Sequence, residues 1–362
     1  MVDALKLSVY FGERDRAGSQ SSAAAIALAS TAAGIRTAAL LRAVEGFGSR
    51  GAVQTDRMLT LSEDLPLVRT AIDTPDRITA LAETVSALIP QGLVTLERCG
   101  IVDTAVIPDA DPTEELKLTL TLGRGQRSGG RLAYVRLVDH LQDCGVDGAY
   151  VVLGVDGILH GVRERARLIG TNTYVPAQVV AIGSRRDLAR AIGGLRPRGA
   201  PALATIERIS VLKRDGRALV EVPHPPPADA EGHPVWQMLT LITREDAVAD
   251  GQALHVTAMR ELRAAGARGG TVLAGVWGYS GATAPHGDSM RRLRRSIPVA
   301  CVVIDTPAAI AGLWPVLDRL TRHGGLVTSE VVPAFRTHGP VGSHGRLHLS
   351  RPHRIRPDNP RR

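Results

Sequence analysis

Three segments of the chain superimpose without a gap: GIRTAALLRAVEG (34–46), GVDGAYVVLGVDG (145–157) and GARGGTVLAGVWG (266–278). Each is a glycine, an apolar run and a second glycine twelve residues on. A proline follows the first glycine after 32, 31 and 32 residues (Pro66, Pro176, Pro298) and opens the runs LPLVRTAI, VPAQVVAI and IPVACVVI. Then come TLER, TIER and TSEV, whose threonines lie 29, 29 and 30 residues beyond the proline. Upstream, each copy opens on a strand-like run: LKLSVYFG, LKLTLTLG, WQMLTLIT. Four landmarks in register, three times over, define an internal repeat, and a repeat constrains architecture before any local propensity does.

The first copy predicts a strand over 5–12, an Ala-rich helix over 20–33 with Gly34 at its C-cap, and a second strand over 35–44. A third strand is expected over 65–72. Thr74 then N-caps a helix with Pro75 at its first position, and a last strand covers 93–97. The order is βαββαβ, so the expected class is α+β: three tandem ferredoxin-like units, each with two helices on one sheet face and the other face bare. Such units bury their bare faces on one another, and a tethered set of three can close into a single-chain pseudo-trimer. The expected units are 1–102, 116–214 and 235–335. Residues 103–115 and the Pro-rich 215–234 read as linkers, and 336–362 as a disordered basic tail.

The formal charge is +8, but seven Arg and one Asp from Arg336 onward carry +6 of it. The body is nearly neutral, and aromatics make up only 3%. Both facts argue against a specific nucleic-acid partner. Three cysteines without a CxxC pair fit a reducing compartment, and the N-terminal residues lack a secretory pattern, so a soluble cytoplasmic protein is expected.

The run LKLSVYFGERDR, followed by GIRTAALLRAVEGFG, LTLSEDLPLV and GLVTLERC, resembles the bacterial family catalogued as domain of unknown function 190, itself similar to the PII signalling proteins. Copies two and three share the frame but carry GRGQR (123–127) and TRED (243–246) in place of GERDR. The resemblance implies a PII-like threefold arrangement with ligands in the clefts between units and a long loop after the second strand that contacts a target. It also implies that Gly46-Phe47-Gly48 is similar to the PII turn whose backbone amides approach a nucleotide phosphate. A nucleotide is therefore among the candidate ligands, although no counterpart of the second PII phosphate loop is found. The family is often encoded beside small fluoride-exporting channels, which points to a membrane channel or transporter as partner.

The candidate ligand-binding residues are Glu13, Arg14 and Arg16 of the charged turn, Gly46, Phe47, Gly48 and Arg50 at the base of the loop spanning Glu45 to Asp64, and Glu97 and Arg98 at the last strand. Glu97, Glu207 and Glu330 share one frame position and suit an interface salt bridge as well as a ligand contact. No metal is expected: His140 and Cys144 share a helix face, but two ligands are not a site. There is no GxSxG elbow, phosphate-binding P-loop or HExxH, so no reaction is indicated. A regulatory, ligand-sensing protein is the leading expectation. A metal-tolerance protein of the same fold and a purely structural module are the alternatives. The first copy alone carries both GERDR and GFG, so a single competent cleft bordered by the first unit is expected, in a chain that is a monomer.

Overall fold

The computed structural model describes residues 1–48, 54–55, 64–102, 107, 111–167, 169–195, 201–219, 228, 232, 234–281, 283–287, 296–338 and 342–347. It is a mixed α/β structure in which each copy repeats one element order. Unit one has β1 (Val2–Gly12), α1 (Ser22–Ala32), β2 (Thr37–Arg42), β3 (Glu45–Phe47), β4 (Pro66–Asp73), α2 (Pro75–Leu88) and β5 (Gln91–Ile101). Unit two has β6 (Glu115–Gly123), α3 (Ala133–Asp143), β7 (Gly148–Leu159), β8 (Pro176–Ser184), α4 (Arg185–Gly193), β9 (Leu203–Arg208) and β10 (Ser210–Arg214). Unit three has β11 (Trp236–Arg244), α5 (Leu254–Ala264), β12 (Gly270–Ala274), β13 (Trp277–Ser280), β14 (Pro298–Asp305), α6 (Pro307–Leu320), β15 (Leu326–Val332), β16 (Ala334–His338) and β17 (Ser343–Gly345). No described helix is long and apolar enough to cross a membrane.

Within each unit the strands lie antiparallel in the order β2-β4-β1-β5, β7-β8-β6-β9 and β12-β14-β11-β15. Both edges of every unit are continued by its neighbours. After its second strand each unit sends a segment across to the next: β3 pairs with β12, the far half of β7 with β2, and β13 with the near half of β7. After its last strand the same occurs: the end of β5 pairs with β9, β10 with β15, and β16 with β5. The exchange is cyclic.

The alternation of side chains explains why the units associate. In β1, Leu5, Leu7, Val9 and Phe11 pack under α1 and α2 with Ile26, Ile78 and Val85, whereas Lys6, Ser8 and Tyr10 point to the opposite face. That face is closed by the other units: Tyr10, Leu41 and Val68 meet Tyr150 and Val152 of unit two and Leu273 of unit three.

The structure follows the expected signals with three changes. Gly34, Gly145 and Gly266 end α1, α3 and α5 with φ of 65°, 79° and 97°, a region that glycine enters without strain. Thr74 and Thr306 make no side-chain cap bond. The carboxylate before each accepts the threonine N–H instead, Asp73 at 2.8 Å and Asp305 at 2.7 Å. The stretch expected as a loop from Glu45 begins as a strand, because β3 docks on unit three. The boundary placed after residue 335 falls inside β16, whose ladder on β5 runs to His338 and is flanked by β17. Leu347 packs on the core of unit one. These pairings are made by residues whose composition reads as linker, which is why the sequence hides them.

Candidate ligand-binding cleft

Where β3 docks on unit three, the two units leave a cavity of about 150 Å³. Gly12 and Asp15 at the end of β1, Phe47 and Gly48 after β2, and Asp64 before β4 form one wall. Arg268 to Thr271 and Ile304 form the other, and Arg336 of β16 closes it. Gly48 and Asp64, both lining the cavity, flank the 49–63 segment, of which Gln54 and Thr55 pair with Gly46 and Glu45. A Cβ on Gly46 would lie 2.6 Å from the Gly270 carbonyl oxygen and from Pro66 Cγ, so only glycine admits this close strand contact. At Gly48 an added Cβ meets nothing within 4 Å.

The basic wall is held by a stacked assembly. Trp236, 1% exposed, lies under Arg336 at 5.1 Å and Arg268 at 5.9 Å. Asp305 takes the Arg268 Nε–H at 3.0 Å and lies 3.8 Å from Arg336 Nη1. Arg336 Nη2 donates to the Ile304 carbonyl at 2.8 Å. Burial lowers the pKa of Arg336, while the hydrogen bond to Asp305 raises that of Arg268. One carboxylate thus serves two guanidiniums, leaving this wall with a net positive charge. In the related cleft between units two and three, of about 70 Å³, Asp147 stands where Arg268 stands. Arg214, in the place of Arg336, is already paired with Glu115 at 2.9 Å and Asp147 at 3.1 Å. Among the described residues that line this cleft, the one cation, Arg214, is thus already paired.

A family model for domain of unknown function 190, described as an uncharacterized ACR, matches residues 4–101, 115–211 and 236–334. The chain belongs to this family, in three tandem copies. Among solved structures, an aspartate kinase from Synechocystis is similar at 11% identity and a TM-score of 0.29, over 92% of this chain and 45% of that one. This chain spans under half the length of that protein, and a likeness of this size carries no argument.

In this triple domain-190 chain the residues singled out from the sequence separate into three places. Phe47 and Gly48 line the cleft, with Gly46 behind them. The charged turn lies beside it: Glu13 pairs with Arg42 at 3.0 Å, both well exposed. The Arg14 N–H donates to Asp64 at 2.7 Å, and Arg16 closes a small hairpin on the Ser19 carbonyl. Arg50 lies outside the described residues. Arg98 is exposed on β5, opposite in direction to Glu97. His140 bonds the Ala191 carbonyl at 2.8 Å and lies 3.8 Å from Cys144, inside the unit-two core. Arg268, Arg336 and Asp64 were not foreseen. Arg336 had one signal, the matching Arg214 after the last strand of unit two.

Glu97 belongs to a second constellation, where the strands of the three copies come together away from the helices. Glu97, Glu207 and Glu330 bring carboxylate oxygens within 4.8 Å of one another, all buried. Lys6 bridges Glu97 and Glu207, the latter at 2.8 Å. Lys117 bridges Glu207 at 2.8 Å and Glu330 at 2.6 Å. The cross-strand register pairs Lys6 with Glu97, Lys117 with Glu207, and Met238 with Glu330. Methionine therefore takes the place of the third lysine. The lysines already supply the cations that a metal would, with one positive charge too few. Burial raises the pKa of Glu207, but Lys117 and Lys6 outweigh it and hold the group at about 2. Burial raises that of Glu330, which among the described residues has Lys117 as its only bridging cation.

The signs of these shifts set a pH dependence. A raised carboxylate favours the folded state while protonated, so stability is expected to fall as pH rises from the ordinary Glu range through the raised value of Glu330. Glu207 acts oppositely, losing its contribution as pH drops from about 4.3 toward 2. Between pH 5 and pH 8 the urea midpoint of Glu330→Gln should decline less than that of the parent chain. An unchanged decline would place the titration elsewhere.

Proposed function

We propose that the chain is a regulatory ligand-binding protein of PII-like architecture: three ferredoxin-like units closed into a single-chain pseudo-trimer. A small ligand bearing an anionic group binds between units one and three and biases the 49–63 segment, which contacts a partner. The observation that carries this reading is the cleft itself, where both ends of that segment meet the net-positive Arg268–Arg336 wall. The segment responds only to a ligand whose affinity differs between its states. Arg268, about half exposed, carries its guanidinium to the rim, and the glycines at 48, 269 and 270 bring backbone amides close to it.

Two measurements test the proposal. A ligand specific for the folded cleft raises the melting temperature in a screen of small anions and nucleotides, and calorimetry then gives about one site per chain. Arg268→Gln should weaken that binding at least about tenfold, since a charge-assisted bond contributes roughly 1.5–3 kcal/mol. Three equal sites, or undiminished binding in the variant, would refute the assignment. Light scattering should give a monomer, because both edges and the inner face of every unit are used within the chain. A stable trimer of full-length chains would count against the pseudo-trimer.

A further inference from the structure

We infer that the ligand of this cleft is a zwitterion of the α-amino-acid class with a small apolar side chain. This inference rests on the cleft reading above and narrows it. The observation is that the cavity carries both signs of charge on opposite units. Unit three and β16 present Arg268 and Arg336, both paired with Asp305. Unit one presents Asp15 and Asp64. Asp64 accepts the Arg14 backbone N–H at 2.7 Å and makes no ion pair among the described residues. Asp15 accepts the Gly12 N–H at 2.7 Å. A purely anionic ligand would meet these carboxylates, and a purely cationic one would meet the guanidiniums. A molecule that carries a carboxylate and an ammonium together, as an α-amino acid does on its Cα, complements both walls.

Size and lining restrict the rest of the molecule. About 150 Å³ accommodates a body of roughly benzene size, whereas pockets for larger ligands run to roughly 300–1,000 Å³. Between the charged walls the cavity is lined by Tyr10, Phe47, Leu93, Val302 and Ile304. An aliphatic side chain the size of valine or leucine fills such a space, and a triphosphate does not. Since the two charges are held by different units, the ligand would tie unit one to unit three at the base of the 49–63 segment.

The test uses the full-length chain and calorimetry at pH 7 with L-valine, L-leucine, 4-methylpentanoate, 3-methylbutylamine and ATP. L-Leucine or L-valine is expected to bind once per chain. 4-Methylpentanoate, which lacks the ammonium, and 3-methylbutylamine, which lacks the carboxylate, should each bind at least about tenfold more weakly than leucine. Asp64→Asn should weaken leucine about tenfold yet leave 4-methylpentanoate equal or tighter, and this second readout shows that the variant is folded. Equal affinity for leucine and 4-methylpentanoate would overturn the zwitterion. So would binding of ATP with both amino acids inert, an outcome that leaves the cleft standing as a ligand site. Silence from all five probes would count against the cleft reading as well.

Discussion

Replacing Lys117 by methionine should lower stability by about 3–5 kcal/mol, the usual cost of removing one member of a buried ion pair. Lys117 joins Glu207 of its own unit to Glu330 of the third, and nothing else described bridges those two carboxylates. The loss should be smaller at pH 5 than at pH 8, because burial raises the pKa of Glu330 and proton uptake can replace part of the missing charge. Urea denaturation at both values measures this. A loss below about 1 kcal/mol at pH 8 would show that the ring sets register without supporting the fold, a role that buried charges do have in some proteins.

Shortening the chain is expected to have the second large effect, with a sharp boundary. Ending it after Leu347 should change stability by no more than about 0.5 kcal/mol, the usual range for sites away from the core. Ending it after Pro333 removes the β16 ladder on β5, Arg336 from above Trp236, and the strand that covers the indole at Gly345. A loss on the order of 3 kcal/mol should follow, because Asp305 loses a buried partner and the indole is uncovered. Melting curves of the two truncations, compared with the full chain, decide it. Equal curves would mean that β16 and β17 only drape the surface.

The element order and the repeat were legible because they rest on periodicity and punctuation within each copy. The alternation in LKLSVYFG, the glycines at 34, 145 and 266, and the prolines that open β4, β8 and β14 all act locally. What the sequence concealed was made between copies. Glu45 to Phe47 reads as the start of a loop, since the partner that makes it a strand is Gly270 to Val272, over two hundred residues away. Arg69 illustrates the same limit. Its counterparts Val179 and Cys301 are core residues, yet Arg69 is buried 3.7 Å from Asp156, a residue that unit two extends across β2. Burial lowers its pKa to about 10, with Asp156 opposing that shift. Half of the candidate cleft was visible as the GFG turn. The other half, Arg268 and Arg336, lies in the third copy and the strand that follows it, where the turn is absent.

Met238 bears on how such a chain can diverge. In an assembly of three identical separate chains, any substitution at the axis is repeated three times. A lysine-to-methionine change there would remove every cation at once and leave three carboxylates facing one another. Fusion into one polypeptide lifts that constraint: one copy can lose its lysine while Lys6 and Lys117 still hold the other two contacts. The same freedom lets Arg268 become Asp147 in a sister cleft. Covalent linkage thus allows equivalent positions to take on separate duties, which symmetry would otherwise forbid.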